Sequence, residues 1–335
     1  MKLPVGKSPV ELLDKIVFKN LGVSRKEVVV GPKTGVDGAV IKIGDKNIIV
    51  SMDPVTGANE KIGWLAVNVN ANDVATFGVE PAFMFSCMLL PANSDSKLIE
   101  KISSQINKAA TNIGVSIVGG HCESTLGLNN PVVVGCIIGF TDNQNYITAA
   151  NAKPRDKIIL TKSAGIEGTA ILASDKEKTL KKKLSIKQIE NAKNFYKEIS
   201  VVREALIAYK TGGVNAMHDP TEGGIIGGIL EMADASKLGV KIYKDKISVR
   251  TETALICKLF KIDPLRLISS GALLISTNPK YSEKILKRLS KEGIQAAIIG
   301  EFLPNSNQRI INLENNEEMN LTRTKSDHLW KALQS

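Results

Sequence analysis

The chain has 335 residues, more than one hydrophobic core usually serves, so two domains are expected. Its hydrophobic content of 43% is ordinary for a folded protein. No apolar run approaches the roughly 20 residues of a membrane span, and the first residues lack a signal-peptide pattern. The four cysteines form no CxxC pair, which argues against structural zinc and a disulfide framework. These features predict a cytoplasmic protein without a membrane partner.

The net charge of +10 raises the question of a nucleic-acid partner. Much of the excess lies between Lys176 and Lys197, where leucine and isoleucine interleave with lysine. That pattern is typical of one helix with a solvated basic face. Because the sequence lacks an RNP motif, a zinc finger and a helix-turn-helix signature, nucleic acid is the minor hypothesis, and small anions suit the charge equally well.

In chain order, the first half predicts strands and the helices that pack across them. Short apolar blocks predict strands over 27–30, 39–43 and 47–51, the last two joined as a hairpin. A helix over 62–78, a strand over 82–90 and a helix over 96–113 follow. Buried strands are predicted over 115–118 and 131–140. This grouping indicates an α+β half.

The apolar periodicity stops around Pro154, and we place the domain boundary between residues 152 and 153. The predicted domains are therefore 1–152 and 153–335. The second half continues with a strand over 157–161 and several glycine-rich turns. A strand, a helix and a strand follow over 271–277, 279–292 and 296–300, and a short helix over 327–333 ends the pattern.

The helix that begins near Ile62 carries Asn68, Asn70, Asn72 and Asp73 among valines and alanines. Asn and Asp are poor helix formers, because their side chains compete for backbone groups. On an apolar element they need hydrogen-bond partners or a cation. We therefore predict that Asp73, together with Asn72, faces a site for a metal ion or phosphates. An Asn-capped helix start is the structural alternative.

Further acidic residues stand beside glycine or proline at predicted strand ends, namely Asp37, Asp53, Glu123 and Asp219. Mg²⁺ prefers oxygen ligands and is often shared between a few carboxylates and substrate phosphates. Phosphoryl transfer then needs mainly positioning and charge neutralisation. Taken singly, Asp37 and Asp53 would be turn formers. Taken together, the carboxylates predict a site for magnesium and a polyphosphate.

The glycine pair Gly119-Gly120 would let the backbone approach phosphate oxygens closely. His121 follows it and is a candidate phosphate or substrate contact. For His218, which precedes Asp219, a capping or supporting role and a plain structural role fit equally well. The sequence contains no P-loop, no dinucleotide-binding glycine motif and no nucleophile elbow, which disfavours those enzyme classes.

In this order, the motifs resemble the superfamily of aminoimidazole ribonucleotide (AIR) synthetase, selenophosphate synthetase, thiamine-monophosphate kinase and the hydrogenase maturation protein HypE. The HypE branch and its archaeal AIR synthase-related relatives are the most similar. The resemblance implies a two-domain PurM-like fold of α+β and α/β character. In it, the N-terminal halves of two protomers form a dimeric β-barrel-like core, and the C-terminal half is a mixed sheet with helices. The motifs that carry the resemblance are Asp53-Pro54-Val55-Thr56-Gly57, Asn70-Ala71-Asn72-Asp73-Val74-Ala75, Gly119-Gly120-His121 and Asp219-Pro220-Thr221-Glu222-Gly223-Gly224.

The resemblance also implies ATP and Mg²⁺ as cofactors, bound in the cleft between the domains of a homodimer. By motif match, the metal ligands would be Asp37, Asp53, Asp73 and Asp219. The same four residues would bind ATP together with Lys7, Asn72, Gly119 and Gly120, with Lys7 as a candidate lid residue. The candidate catalytic residues are Asp73, His121 and Glu123. The implied reaction is ATP-dependent phosphorylation of an amide, carbonyl or similar oxygen on a small molecule or a partner protein. A nucleotide-binding regulator or scaffold without turnover is the alternative.

Two departures from the family pattern bear on the substrate. The family places an acidic residue directly after the glycine pair, where this chain has His121, and its acidic residue comes later at Glu123. HypE proteins end in a cysteine that carries the carbamoyl group, whereas the last cysteine here is Cys257. We therefore expect a HypE-related enzyme that does not modify its own C-terminus, and its phosphate acceptor stays open.

Overall fold

The computed structural model describes residues 3–142, 146–313 and 317–334. Within these ranges the chain has a mixed α/β architecture with a six-stranded and a seven-stranded sheet, as predicted. The first half contains α1 (Val10–Lys15), β1 (Val28–Val30), β2 (Ala39–Ile43), β3 (Lys46–Val55), α2 (Ile62–Thr76), β4 (Pro81–Pro91), α3 (Ser96–Ile113), β5 (Ser116–Thr125) and β6 (Val132–Asp142).

The second half contains the strands of the larger sheet and most of the helices. Its elements are β7 (Lys157–Thr161), α4 (Ile166–Asp175), α5 (Glu177–Leu180), α6 (Ile186–Lys193), α7 (Val202–Thr211), β8 (Val214–His218), α8 (Gly224–Ala235), β9 (Gly239–Tyr243), α9 (Thr251–Phe260), β10 (Leu274–Thr277), α10 (Pro279–Lys291), β11 (Ala296–Leu303), β12 (Arg309–Asn312), β13 (Glu318–Asn320) and α11 (His328–Gln334). No helix in the described ranges is long and apolar enough to cross a membrane.

The first sheet has the strand order β1-β2-β3-β6-β4-β5. Its pairs are antiparallel except for β4 and β5, which are parallel. Along β6 the residues alternate between a buried and a more exposed face, because successive strand residues point to opposite sides. Within one chain the sheet is open, with β1 and β5 at its edges. The predicted barrel-like core would need a second protomer and stays a prediction.

Helix α2 is buried along its whole length except at Trp64. It packs against β3 and β6 on one side and against α3 and α7 on the other. Because a helix that is buried all round has no solvated face, each of its polar side chains needs a partner inside the protein. This position brings the asparagines and Asp73 of α2 to the junction of the two halves.

The second sheet has the strand order β13-β12-β9-β11-β7-β10-β8. One hydrophobic core joins both halves, since Ile62 and Val74 of α2 share it with Ala205 of α7 and Met217 of β8. Strand β8 lies at the edge of its sheet and contacts α2. The carboxyl end of β8 therefore points its following loop toward the first sheet.

Two predicted elements differ from the structure. The basic segment was predicted as one helix, but it breaks into α5 and α6, because Ser185 caps α6 in a capping box with Gln188. The strand predicted as buried and ending at Val118 is instead the exposed edge strand β5, which continues through the glycine pair to Thr125. It stays exposed because β4 is its neighbour on one side only.

Candidate active site at the junction of the two sheets

Four carboxylates from separate motifs meet where the two halves join. Asp37 lies in the loop before β2, Asp53 in β3, Asp73 on α2 and Asp219 directly after β8. The negative charges of Asp37 and Asp53 raise the pKa of both Asp73 and Asp219. The four predicted ligands therefore form one electrostatic cluster, which draws on both halves of the chain.

Asp73 is 3% exposed, and its pKa lies well above the usual range, because burial and the charge of Asp219 both disfavour its ionised form. Ser51 Oγ lies 2.6 Å from Asp73 Oδ2 and also 2.6 Å from the carbonyl oxygen of Asp37. A hydroxyl has only one proton to donate. Ser51 can therefore donate to only one of these two oxygens at a time.

Asp219 is 1% exposed, and both of its carboxylate oxygens lack a hydrogen-bond partner in the described part of the chain. Asp73 can share a hydrogen bond with it only when one of the two carboxyls is protonated. Burial, followed by the charge of Asp37, raises the Asp219 pKa well above its usual range. Buried polar groups are normally satisfied, so these bare oxygens fit a site built to receive a cation.

His218 holds one of the cluster carboxylates in place. Its Nδ1 lies 2.7 Å from Asp37 Oδ2, and its Nε2 lies 3.0 Å from Glu231 Oε2. Burial alone would lower the His218 pKa, but Asp37 and Glu231 outweigh it and raise the pKa to about 10. A protonated imidazole donates from both nitrogens and cannot bind a metal ion. Ligand atoms of Asp37, His218 and Asp219 lie within 4.8 Å of one another, and both imidazole nitrogens of His218 face carboxylates.

The N-terminal segment reaches this cluster through Lys7. Nearly half of the Lys7 side chain is exposed, while its ammonium nitrogen lies 3.1 Å from Glu231 Oε1. Its backbone N–H donates to Glu222 Oε2 at 2.7 Å. Desolvation lowers the Lys7 pKa, but Glu231 and Asp37 raise it by more. The contacts run from Lys7 through Glu231 and His218 to Asp37.

The side-chain amides of Asn72 and Asn70 form hydrogen bonds with backbone groups. Asn72 Nδ2 donates to the Ile199 carbonyl at 2.9 Å, and its Oδ1 accepts from the Val201 N–H at 2.7 Å. Asn70 Oδ1 accepts from the Asp53 N–H at 2.8 Å. The structure thus directs the Asn72 amide to the second half of the chain and away from the carboxylates. Asn70 supports the strand that carries Asp53.

Gly119, Gly120, His121 and Glu123 lie on the exposed strand β5, where the structure does not bring them to the carboxylate cluster. His121 Nε2 is 3.1 Å from Glu123 Oε2, and both side chains are at least half exposed. Gly120 has φ +154°, and a Cβ atom there would lie 1.9 Å from the Ser86 carbonyl oxygen. Glycine is therefore required for the pairing of β5 with β4. The proposed nucleotide role of this motif stays a prediction.

The cluster borders a cavity of about 410 Å³ that is lined by both halves, including Lys7, Asp53, Glu167 and Glu222. A larger cleft of about 1630 Å³ lies elsewhere and contains none of the four carboxylates. Lys162, Lys193 and Arg250 in that larger cleft are ion-paired with glutamates. Of the four carboxylates, Asp53 lines the smaller cavity, which therefore lies next to the cluster.

Three residues of the site were not predicted from the sequence, namely Ser51, Glu222 and Glu231. Glu222 belongs to the motif that begins at Asp219, so the sequence already indicated that this segment is part of the site. Glu231 is a buried acid among the apolar residues of helix α8, and that mismatch was a usable signal. Ser51 in a strand is an ordinary residue, and only the fold shows that it touches Asp73.

The two sheets joined by a buried carboxylate cluster define a protein of the PurM-like superfamily. The family model for "AIR synthase related protein, N-terminal domain" matches residues 35–141, and that for the C-terminal domain matches residues 153–311. The chain therefore belongs to the AIR synthase-related family.

Among curated proteins, the chain is 29% identical to a protein of Methanocaldococcus jannaschii that is provisionally named as a hydrogenase expression/formation protein, over 88% of both chains. It is 24% identical to the carbamoyl dehydratase HypE of Rhizobium leguminosarum bv. viciae, over 82% of this chain and 79% of that one. It is also 24% identical to the selenide, water dikinase of Clostridioides difficile, over 85% and 88%.

Solved structures support the fold. The chain is similar to a structure of the HypE–HypF complex, with a TM-score of 0.77, 20% identity and coverage of 93% of this chain and 99% of that one. HypE in complex with ATP gives a TM-score of 0.72 at 19% identity over 98% of both chains. A ThiL complexed with AMPPCP and TMP gives 0.71 at 16% identity over 96% and 99%.

Proposed function

We propose that this protein is an ATP- and Mg²⁺-dependent enzyme that phosphorylates an amide, carbonyl or similar oxygen. The observation that carries the proposal is Asp219, a fully buried carboxylate whose two oxygens have no partner in the described ranges and face three further carboxylates. One similar solved structure is HypE in complex with ATP, and two curated relatives are named as a carbamoyl dehydratase and a selenide, water dikinase. These similarities support a phosphoryl-transfer enzyme.

In this proposal, residues 1–152 form a domain that supplies Asp37, Asp53 and Asp73, and residues 153–335 form one that supplies Asp219. Their hard oxygen donors suit Mg²⁺, which would neutralise charge on the phosphate oxygens of ATP when bound. His218 keeps Asp37 oriented through a 2.7 Å contact. Lys7, held at Glu231, covers the site from the N-terminal segment as a lid residue.

The acceptor in this proposal is a small molecule or a partner protein in the cytoplasm. The enzyme is related to HypE, and its acceptor is distinct from the four carboxylates. His121 and Glu123 are candidates for contacts to the substrate or phosphates and would take part together with Asp73. Because both lie on the exposed strand β5, a second protomer would complete that part of the site in this proposal.

A regulator or scaffold that binds nucleotide without turnover is the second candidate. The observation in its favour is His121 at the position where the family carries an acidic residue. Four acidic positions in one cluster favour the enzyme, because a scaffold has no need to hold four like charges together at the cost of stability.

Calorimetry with ATP in the presence of Mg²⁺ and in EDTA tests the proposed cofactors. We expect binding that requires Mg²⁺, since four carboxylates would otherwise repel a triphosphate. Phosphate release from ATP, measured across a panel of amides and other carbonyl compounds, then separates the enzyme from the scaffold. ATP binding of equal strength in EDTA would contradict the carboxylate assignment. Mg²⁺-dependent binding without release across the panel would favour the scaffold.

We further propose a homodimer that forms through the outer face of the first sheet. That face carries Met52, Phe83, Phe85 and Phe140, each between 39% and 64% exposed, and the rings of Phe83 and Phe140 stack at 6.1 Å. An uncovered apolar patch of this kind marks an interaction surface. In the proposed dimer, the outer faces of the first sheets of two protomers would pack together and bury this patch.

The variant Phe85→Asp tests this interface, because a charge at the centre of an apolar contact is strongly unfavourable. We expect a wild-type dimer and a monomeric variant by analytical ultracentrifugation. Leu259→Asp is the matched control, since Leu259 is 39% exposed on α9, away from this sheet, and Phe85 is 44% exposed. A monomeric wild type, or a dimer of Phe85→Asp, would contradict the proposed interface.

A further inference from the structure

The cavity beside Asp53 contains polar groups that the proposed magnesium and phosphate chemistry does not use. It is bounded by the N-terminal segment at Gly6, the loop that follows β3, and α4, and by Ser270 and Trp330. Val55, Val69, Ile171, Ile268 and Leu329 supply its apolar walls. Its volume of about 410 Å³ suits a small molecule.

Three polar atoms in these walls have no hydrogen-bond partner among the residues that the structure describes. They are Glu167 Oε2, Ser270 Oγ and Trp330 Nε1. Glu167 is 4% exposed and Ser270 is fully buried. Ser270 lies close enough to favour the ionised form of Glu167, yet no well-formed hydrogen bond satisfies either atom. These three atoms, one acceptor and two donors, belong to residues that line the same cavity.

A second buried acid near the cavity, Asp327, anchors backbone groups. Asp327 accepts from the backbone N–H groups of Gly223, Ile268 and Leu329, at 2.6, 3.2 and 2.7 Å. It therefore fixes the loops around the cavity. Glu167, the second residue of α4, lies within reach of the backbone N–H and the hydroxyl of Ser270, which favour its ionised form, while its Oε2 has no hydrogen-bond partner in the described ranges.

The charges of the cavity select against anions. Asp53, Glu167 and Glu222 line it, and Lys7 is the basic residue among its lining residues. Burial, followed by the charges of Asp327 and Glu222, raises the pKa of Glu167 to about 7, with Ser270 opposing the shift. A carboxylate or phosphate in the inner end of the cavity would meet Glu167 without a neighbouring cation. An uncharged group with N–H donors would satisfy Glu167 Oε2 and accept from Ser270 or Trp330.

We propose that this cavity is the acceptor subsite and that Glu167 selects an uncharged, N–H-bearing acceptor of amide type over an anionic one. The proposal rests on the proposed phosphoryl-transfer function, because the acceptor must lie beside the carboxylate cluster. In this proposal Glu167 determines which acceptor binds, and Ser270 and Trp330 make further contacts to that acceptor. The subsite adjoins the carboxylates that would hold magnesium through Asp53, which lines the cavity.

Benzamide and benzoate are suitable probes, since they share a shape and differ in charge. The chain has two tryptophans, so the indole N–H of Trp330 can be followed by NMR and assigned with Trp64→Phe. We expect benzamide to shift the Trp330 signal and benzoate to bind about tenfold or more weakly. In Glu167→Gln, which keeps the size and one acceptor oxygen, we expect this preference to fall to near unity. Glu190→Gln, at a surface position of α6, is the control and should keep the wild-type preference.

Mg²⁺-dependent ATP binding is measured on the same variants, and thermal melts establish that they are folded. Unchanged ATP binding in Glu167→Gln together with the lost preference supports the subsite. If wild type binds ATP with Mg²⁺ but benzamide leaves Trp330 unshifted, the subsite is overturned and the proposed function survives. If benzoate and benzamide bind the wild type with equal affinity, the subsite is likewise overturned and the proposed function survives. If wild type binds no Mg-ATP, the proposed function fails and the acceptor assignment fails with it.

Discussion

Asp219→Asn is expected to raise the stability of the metal-free protein by about 1–3 kcal/mol and to weaken Mg-ATP binding by about 100-fold or more. Both effects have one cause. The two Asp219 oxygens are buried without partners beside Asp73, so a neutral amide removes repulsion and desolvation in the absence of metal. The same change removes a charged oxygen ligand, which Mg²⁺ needs. A gain in stability with a loss of binding is typical of a site prepared for a cation.

The stability gain should depend on pH with a defined sign. Burial raises the pKa of Asp53 to about 6 from its usual value near 4, and Asp73 and Asp219 are raised as well. Between these values the native state binds more protons than the unfolded state, so the wild type loses stability as pH rises from about 4 to 6. We expect Asp219→Asn to flatten this loss.

Thermal denaturation in EDTA between pH 4.5 and 7.5, and calorimetry with Mg-ATP at pH 7.5, measure both effects. Asp175→Asn is the control, since Asp175 is also a carboxylate with a raised pKa but contacts Asn59 outside the cluster. It should leave Mg-ATP binding unchanged. An Asp219→Asn protein that is less stable than wild type in EDTA and still binds Mg-ATP normally would show that Asp219 is a structural residue.

Lys162→Met is expected to destabilise the fold by about 3–5 kcal/mol. Lys162 Nζ lies 2.6 Å from Glu204 Oε1, and both side chains are largely buried, at 13% and 4% exposure. The same ammonium donates at 2.8 Å to the carbonyls of Glu198 and Ser200. Its removal leaves a buried carboxylate without its counter-ion and two carbonyls without their donor. These contacts hold the segment before α7 against the end of β7.

Urea unfolding of three variants tests whether the buried Lys162–Glu204 pair contributes more to the free energy of unfolding than an ordinary surface ion pair does. Lys193→Met is the matched control, because Lys193 lines the same cleft but pairs with the more exposed Glu177 and Glu190, and it should cost less than about 1 kcal/mol. The double variant Lys162→Met/Glu204→Leu should recover much of the lost stability, since it removes the stranded charge. Equal losses for Lys162→Met and Lys193→Met would refute a special role for the buried pair.

Local chemistry made the carboxylate cluster predictable. Asp73 stands in an apolar helix where packing alone would favour another residue, and Asp37, Asp53 and Asp219 stand beside glycine or proline at predicted strand ends. The predicted hairpin and the helix at Ser96–Ile113 follow from turn residues and apolar periodicity, which act within a few residues. Such signals depend on residues that are close in sequence, so they can be recognised in a single sequence.

Contacts between distant segments were decided only by the tertiary structure. The sequence marked His218 without showing that it bridges Asp37 and Glu231, which are 181 and 13 residues away. It suggested that Asn72 faces the site, whereas the fold turns that amide to Ile199, 127 residues away. The position of Glu167 in the same cavity wall as Ser270 likewise depends on the packing of the second half. Residue types determine which groups need a partner, but only the packed chain determines which partner lies within hydrogen-bond distance.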